Sequence, residues 1–412
     1  MRKKPCFAVL FLAALLAVVP GLRAEQFTYK YAAGDKYRIL STVHEDVYVN
    51  RRLSLRSEIL NRIAVEVLEA GGGTGLHRAV FQTAERAVRP ERTVRTNGPA
   101  GGQSFQWARE YESEFQRDAQ GYITIDRRFY MPVVRNVPVF PDRDIQIGDT
   151  WSAEGHEMHD FRDSFGITEP YRIPFTANYT FLGDREWKGK LYPAFSVSYR
   201  IFSEPNPVTG RIWPRRILGA SDQVVFWHPE LGQAAAYSET FRMIFELSDG
   251  RAVEYSGTSE AEILESPRMD KERVVRDINQ DIADLGITGT TARIVDEGIT
   301  ISLEDVQFQA ESAVLLPMER EKLAKIARIL RNYPDRDILV GGHTALAGTE
   351  AGRLQLSQDR AAAVADYLIT GKVREPDRMV VRGYGAEKPL GDNRTEEGRR
   401  RNRRVEITIL EN

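Results

Sequence analysis

The chain has 412 residues, 42% of them hydrophobic and 28% charged, with 57 Lys+Arg against 59 Asp+Glu. That length suggests two or three domains, the composition excludes wholesale disorder, and the charge balance argues against a coat for nucleic acid. A single cysteine, Cys6, leaves a disulfide scaffold, a cysteine metal site or a thiol nucleophile dependent on that residue being kept.

Residues 1–24 read as a secretory signal. Arg2, Lys3 and Lys4 precede an uncharged apolar run from Phe7 to Val19, which is too short to cross a bilayer comfortably. Pro20 and Gly21 break the run, and Leu22-Arg23-Ala24 offers a small residue for cleavage. Cys6 lies before the run rather than after it, which argues against lipidation. Cleavage would leave a mildly acidic chain without cysteine. No later stretch approaches the length of a spanning helix. The expected location is the periplasm, with association to the outer membrane left open.

Residues 25–264 predict a β-rich region. Ile63, Val65 and Val67 alternate with polar neighbours before the turn Gly71-Gly72-Gly73-Thr74-Gly75, and Phe195, Val197, Tyr199 and Ile201 alternate in the same way. Ser248-Asp249-Gly250 separates two alternating runs and predicts a hairpin, because Gly accepts positive φ without cost. Strand after strand without helices predicts an antiparallel sandwich or an open barrel. Prolines at 132, 138, 141, 170 and 174 suggest two sub-domains divided near Pro138. Charged runs such as Glu85 to Arg95 argue against a lipid-facing barrel. Trp151, Trp187, Trp213 and Trp227 are expected in the β core.

His156-Glu157-Met158-His159-Asp160 clusters possible metal donors, but the spacing is not His-Glu-x-x-His, and a solvated loop is expected. No metal, cofactor or catalytic residue is assigned. The sequence has neither a Gly-x-Ser-x-Gly elbow nor a phosphate-binding glycine loop.

Residues 265–298 form a linker helix and strand leading into a C-terminal domain at 299–412. Val274, Val275, Ile278, Ile282 and Leu285 share one helical face, ended by Gly286. Strands follow at Ala292 to Val295 and Ile299 to Leu303. A helix from about Pro317 to Asn332 precedes a buried strand, Ile338 to Val340. A third helix spans Gln355 to Ile369, and the closing strands are Met379 to Arg382 and Val405 to Leu410. Strands alternating with helices predict a mixed α/β sheet, so the whole chain is read as an α+β multidomain protein.

Gly342-His343-Thr344, Gly348, Leu356-Ser357-Gln358-Asp359-Arg360-Ala361, Val364, Tyr367-Leu368, Arg382-Gly383-Tyr384-Gly385, Lys388-Pro389 and Asn402-Arg403-Arg404-Val405-Glu406-Ile407 occur in order. With Phe308 and Ser312-Ala313 upstream, they resemble the OmpA-like peptidoglycan-binding domain over about Ile299 to Leu410. The resemblance implies that Thr344, Arg360 and Arg403 contact a peptidoglycan stem. In the family pattern a guanidinium takes the diamino acid's carboxylate and an Asp takes its ammonium group. Arg360 stands at the guanidinium position. Ala345 stands where the Asp is expected, and Arg353 replaces a usual Asn.

Three readings of that pocket stay open. The site has lost binding, or it takes a variant stem or another anionic ligand through Arg360, Arg403 and Arg353, or Glu350 reaches back to supply the missing acid. The run Arg394, Arg399, Arg400, Arg401, Arg403 and Arg404 is expected to be a solvated face, and His343 a position that orients its loop. The functional expectation is a non-catalytic envelope protein associating with peptidoglycan or a related envelope ligand. The β region would serve an unknown periplasmic or outer-membrane partner. The alternative is a degenerate module in an assembly protein that acts through its β region.

Overall fold

The computed structural model describes residues 25–88, 104–208, 210–265, 269–304, 308 and 313–411. The signal segment read at 1–24, Ser266-Pro267-Arg268 of the linker and Ser312 lie outside the described residues.

Among the described residues, twelve strands make the N-terminal region: β1 (Lys36–Val49), β2 (Arg52–Gly71), β3 (Thr74–Ala87), β4 (Phe105–Asp118), β5 (Ile123–Ile125), β6 (Val134–Arg135), β7 (Thr150–His159), β8 (Tyr171–Trp187), β9 (Lys190–Ser203), β10 (Pro214–His228), β11 (Gln233–Leu247) and β12 (Ala252–Glu265). A single helical turn, α1 (Arg162–Phe165), lies between β7 and β8. Each strand pairs antiparallel with its neighbour in sequence except at one step, from β5 to β6. Among the described residues no backbone ladder joins β5 to β6, while β1 pairs with both β2 and β12. The ladder therefore runs β5-β4-β3-β2-β1-β12-β11-β10-β9-β8-β7-β6, an open barrel whose seam lies between β4/β5 and β6/β7. Strands of this length cannot stay flat. Register shifts at Val67/Glu69, Thr83/Ala84, Phe181/Gly183 and Phe226/Trp227 add the local twist that curls the sheet. Gly183, at φ 73°, supplies the left-handed residue that the β8 shift needs.

Side chains close the seam where the backbone does not. The Tyr111 hydroxyl donates to Asp160 Oδ2 (3.0 Å), Arg109 Nη2 to Asp163 Oδ2 (2.8 Å) and the Ile123 amide to Asn136 Oδ1 (2.8 Å). The outward positions of β8 include Arg172, Pro174, Thr176 and Asn178, all exposed, which is a polar face rather than an apolar band. Inside, one cluster gathers Ile173, Phe175, Tyr179, Val197, Ile201 and Ile217. Another packs Phe27, Phe140, Phe181, Phe195 and Trp227. Trp227 is fully buried, whereas Trp151, Trp187 and Trp213 are half-buried.

The histidine-bearing segment is the clearest departure from the sequence reading. Residues 156–159 are not a loop but the end of β7, and successive side chains point to opposite faces. His156 and His159 therefore face opposite ways. Glu157 is buried, accepting from the Tyr199 hydroxyl (2.9 Å) with His159 Nε2 at 2.8 Å.

The C-terminal layer comprises α2 (Lys271–Asp284), β13 (Thr290–Val295), β14 (Gly298–Glu304), α3 (Pro317–Leu330), β15 (Ile338–Gly342), α4 (Glu350–Thr370), a 3-10 turn (Pro376–Arg378), β16 (Met379–Gly383), α5 (Glu396–Asn402) and β17 (Arg404–Leu410). Asp270 caps α2 by accepting from the Arg273 amide, and Gly286 at φ 60° follows its end. The sheet order is β13-β14-β17-β15-β16, antiparallel except for the β15–β16 pair. The helices cover one face. Ile338, Val340, Met379, Val381, Ile407 and Ile409 point into that core.

The alternate residues meet the barrel. Leu339, Val380 and Leu410 pack against Leu60, Ala84 and Phe105. Both faces of the sheet are thus buried, which is why β15 reads as a continuous apolar run. Phe105 and Gln106 at the start of β4 pair parallel with Val380 and Val381 and extend the sheet by one short strand. Arg382 lies over the Trp107 ring (4.8 Å), and Asp337, 1% exposed, faces Arg38, Arg62 and Arg378 across the junction.

Candidate ligand-binding site

The site is built on the loop after β15, the first half of α4 and the C-terminal end of α5. Gly342 brings the loop against the helix. A Cβ there would stand 2.0 Å from the Ser357 carbonyl oxygen, so only glycine allows the approach. Ser357 is fully buried. Its hydroxyl donates to Leu354 O (2.8 Å) and accepts from the Gly385 amide (2.9 Å), fastening α4 to the segment after β16. A Gly342→Ala variant is expected to lose about 1–3 kcal/mol through this overlap. Urea unfolding of the variant beside the unaltered chain checks it.

The loop is held from a second side by two asparagines that sequence reasoning left without a role. Buried Asn402 accepts from the Leu390 and Gly391 amides (2.7 and 2.9 Å) and donates to Gly391 O and Asn393 Oδ1. Asn393 Oδ1 in turn accepts from the Leu346 amide (2.9 Å). Asn402 was visible in the Asn-Arg-Arg block, but its partners lie in a turn whose path the sequence does not fix.

Thr344 and Ala345 are both buried on this loop. The Thr344 amide donates to Gly385 O (2.7 Å), while its hydroxyl has no hydrogen-bond partner among the described residues. Ala345 presents no polar side-chain atom at the position of the expected acid. Thr349 caps α4 five residues earlier than the apolar period suggests, its hydroxyl accepting from the Gly352 amide. That places Glu350 and Arg353 in the first turn of the helix. Glu350 is exposed and makes no hydrogen bond or ion pair among the described residues. Arg353 turns to its own loop, donating from Nη1 to Gly348 O (2.6 Å).

Arg360 is different in kind. It is half-buried, its guanidinium lies over the Phe308 ring at 4.9 Å, and its Nε has no hydrogen-bond partner among the described residues. It has no ion pair among the described residues. Burial and the nearby Arg403 charge both lower its affinity for its proton. Arg403 is itself engaged, donating to Glu396 Oε1 (2.8 Å). The structure thus brings Arg360 and Arg403 together, and among the described residues only Arg403 has a carboxylate partner. The arginine run is not simply a solvated face: Arg399, Arg400 and Arg401 lie in α5, and Arg404 is buried, bonded to Glu406 (2.8 Å) and Lys388 O (3.0 Å).

His343 stacks on Tyr384 (4.8 Å, 8°), with Nε2 3.3 Å from Glu406 Oε2, an approach that does not meet hydrogen-bond geometry. Burial holds the imidazole below its ordinary pKa, in the neutral form. It packs under the loop.

Comparison with known proteins places this domain. Residues 307–403 match the OmpA family, and the C-terminal domain is an OmpA-like domain. Outer membrane protein A of Bordetella avium is 39% identical over 106 residues, covering 26% of this chain and 54% of that protein. The peptidoglycan-binding protein ArfA of Mycobacterium tuberculosis is 38% identical over 104 residues, covering 25% of this chain and 32% of its own length. Among solved structures, the cell wall anchor of the T6SS from Pseudomonas aeruginosa is 28% identical with a TM-score of 0.29, covering 35% of this chain and all of that one. The chain therefore spans about half the length, or less, of the curated relatives it matches.

Proposed function

We propose that this chain is a non-catalytic cell-envelope protein whose C-terminal domain associates with peptidoglycan by taking a stem-peptide carboxylate at Arg360. The observation that carries this reading is the Arg360 guanidinium, oriented by Phe308 and left without a carboxylate partner among the described residues. A half-buried guanidinium binds a carboxylate in a bidentate fork. Relatives named as peptidoglycan-binding and outer-membrane proteins support the same setting. Thr344 and Arg403 flank the ligand, and export through the signal at residues 1–24 delivers the domain to the wall.

The ammonium end of a diamino acid finds no acid at Ala345. Losing one partner of a desolvated charge pair costs about 2–5 kcal/mol, so affinity is lower than an intact pair would give, and selectivity shifts toward the carboxylate. Buried Ala345 also favours a second reading, a module that no longer binds wall and leaves function to the barrel.

Co-sedimentation with purified sacculi separates the two. Weak retention abolished in Arg360→Ala and strengthened at least tenfold in Ala345→Asp supports the first. If the unaltered chain shows no retention and Ala345→Asp creates it, the first reading fails and the second stands.

A further inference from the structure

Between the two halves of the barrel lies a cavity of about 1280 Å³, larger than the ~300–1,000 Å³ of ordinary small-molecule pockets. Its walls are the inner faces of β1–β3 and β10–β12, with residues 130–134, 137 and 138 also in the lining. The lining is graded along its length. Ile39, Ile63 and Phe81 sit side by side in register on β1, β2 and β3 and make an apolar band. The next row, Ser41, Asn61 and Thr83, is polar but satisfied internally. Thr83 Oγ1 donates to Asn61 Oδ1 (3.0 Å), and Ser41 shares a hydrogen bond with Ser259 (3.2 Å).

Arg117 on β4 lines the same cavity. Its guanidinium meets aromatic faces, 5.0 Å from the Tyr29 ring centre and 5.6 Å from that of Phe115, and its buried Nε has no hydrogen-bond partner among the described residues. It makes no ion pair among the described residues. The acids nearby are committed to backbone amides: Asp118 Oδ1 accepts from Gln120, Gly121 and Tyr122, and Asp35 Oδ2 accepts from Ala32. The Tyr29 and Tyr31 hydroxyls donate to Pro138 O and Asp118 O. The Tyr37 hydroxyl, also in the lining, makes no hydrogen bond among the described residues. A desolvated cation without a direct ion pair is costly, and an anion placed against it offsets that cost. Of the other cations in the lining, Lys30 donates to Pro229 O, Lys36 pairs with Glu66 and Arg109 with Asp160 and Asp163, while Glu85 and Glu239 add negative charge, so a second anionic group on the ligand is disfavoured.

We propose that the barrel binds an amphiphile with one anionic head group, the head held by Arg117 and Tyr37 and the hydrocarbon laid along Ile39, Ile63 and Phe81. Carboxylate and phosphate monoester heads share this chemistry. The site is separate from the wall-facing domain, and its test does not depend on that domain.

The test is displacement of a fluorescent long-chain fatty acid from the full chain. The competitors are palmitate, a hexadecyl phosphate monoester and uncharged hexadecanol. Saturable binding, with at least one anion displacing the probe tenfold better than hexadecanol, is the expected result, and the better anion identifies the head group. Arg117→Gln should abolish that preference while leaving hexadecanol unchanged. Ala261→Phe, which fills the middle of the cavity, should weaken all three. If Arg117→Gln does not fold, Tyr37→Phe should cost the anions several-fold and the alcohol nothing. The proposal is overturned by absence of saturable displacement, by equal displacement with hexadecanol, or by folded Arg117→Gln or Tyr37→Phe chains that keep the full anion preference.

Discussion

Replacing Asp337 by Ala is expected to cost about 3–5 kcal/mol and to loosen the C-terminal domain from the barrel. The carboxylate is 1% exposed and accepts from Arg378 Nε (2.9 Å), with Arg38 Nη1 at 3.2 Å and Arg62 Nη2 at 3.4 Å. Arg38 and Arg62 belong to β1 and β2 of the barrel, while Arg378 belongs to the C-terminal layer. Removing this anion leaves the buried Arg38 and Arg62 and the partly exposed Arg378 without their shared carboxylate at the junction. Denaturant unfolding should show a lower midpoint and a second transition, and small-angle scattering a larger radius. The surface pair Lys36–Glu66, with both side chains well exposed, serves as the control: Lys36→Met should shift stability by less than about 1 kcal/mol.

Burial alone would raise the Asp337 pKa, but the charges of Arg62 and Arg38 and the Arg378 hydrogen bond hold it below the ordinary carboxylate value. The folded state therefore binds its proton less readily than the unfolded chain. The stabilisation is complete above the unfolded value, about 3.9, and is lost as pH falls below it. Separation of the layers should accordingly begin only in strongly acid solution.

His77 produces a loss at milder pH. It is fully buried, stacked on Phe115 (5.1 Å) and edge-on to Tyr31 (4.9 Å), with Nδ1 2.9 Å from Gly75 O. Burial first, and then the Arg117 charge, lower its pKa to about 4. The unfolded chain takes up this proton near pH 6.5, before the folded chain does, so stability falls as pH drops from about 6.5 to about 4. The full loss from this residue is about 3 kcal/mol. His156, also lowered to about 4 by burial and by Arg172 and Arg135, acts in the same window. A His77→Phe chain keeps the ring stack and should show a correspondingly shallower decline across that range. An unchanged slope in urea titrations at stepped pH would refute the assignment.

The C-terminal domain was legible because its evidence is local. Ordered motif blocks, a helix-capping Asp270 and Pro317 at the start of α3 all lie within a few residues of what they determine. The start of α4 was misplaced because its first turn, Glu350-Ala351-Gly352, is exposed and carries no apolar period. The strand through His156 was hidden for a related reason. Its inward positions are Ala153, Gly155 and Glu157, and a buried carboxylate in the third breaks the alternation that marks a strand. Its partner Tyr199 is two strands away.

The candidate site was partly legible. Arg360 could be placed from its motif, but the engagement of Arg403 by Glu396 and of Arg353 by Gly348 depends on how turns fold back. The barrel cavity gave no linear signal at all. Arg117, Tyr37 and Ile263 are brought to one lining only when β1 joins β12.

The two residues of β4 that lie alongside β16 have a consequence for how this protein behaves in a crowded compartment. A sheet that ends in a bare strand offers its amides and carbonyls to any passing extended segment. Here the outer rail of the C-terminal sheet is occupied by Phe105 and Gln106 of the same molecule, and the apolar face beside it by Leu60 and Ala84. The domain is chaperoned by its own N-terminal half. Cut free of the barrel, it would carry both a vacant rail and a greasy flank, and its copies would be drawn to one another.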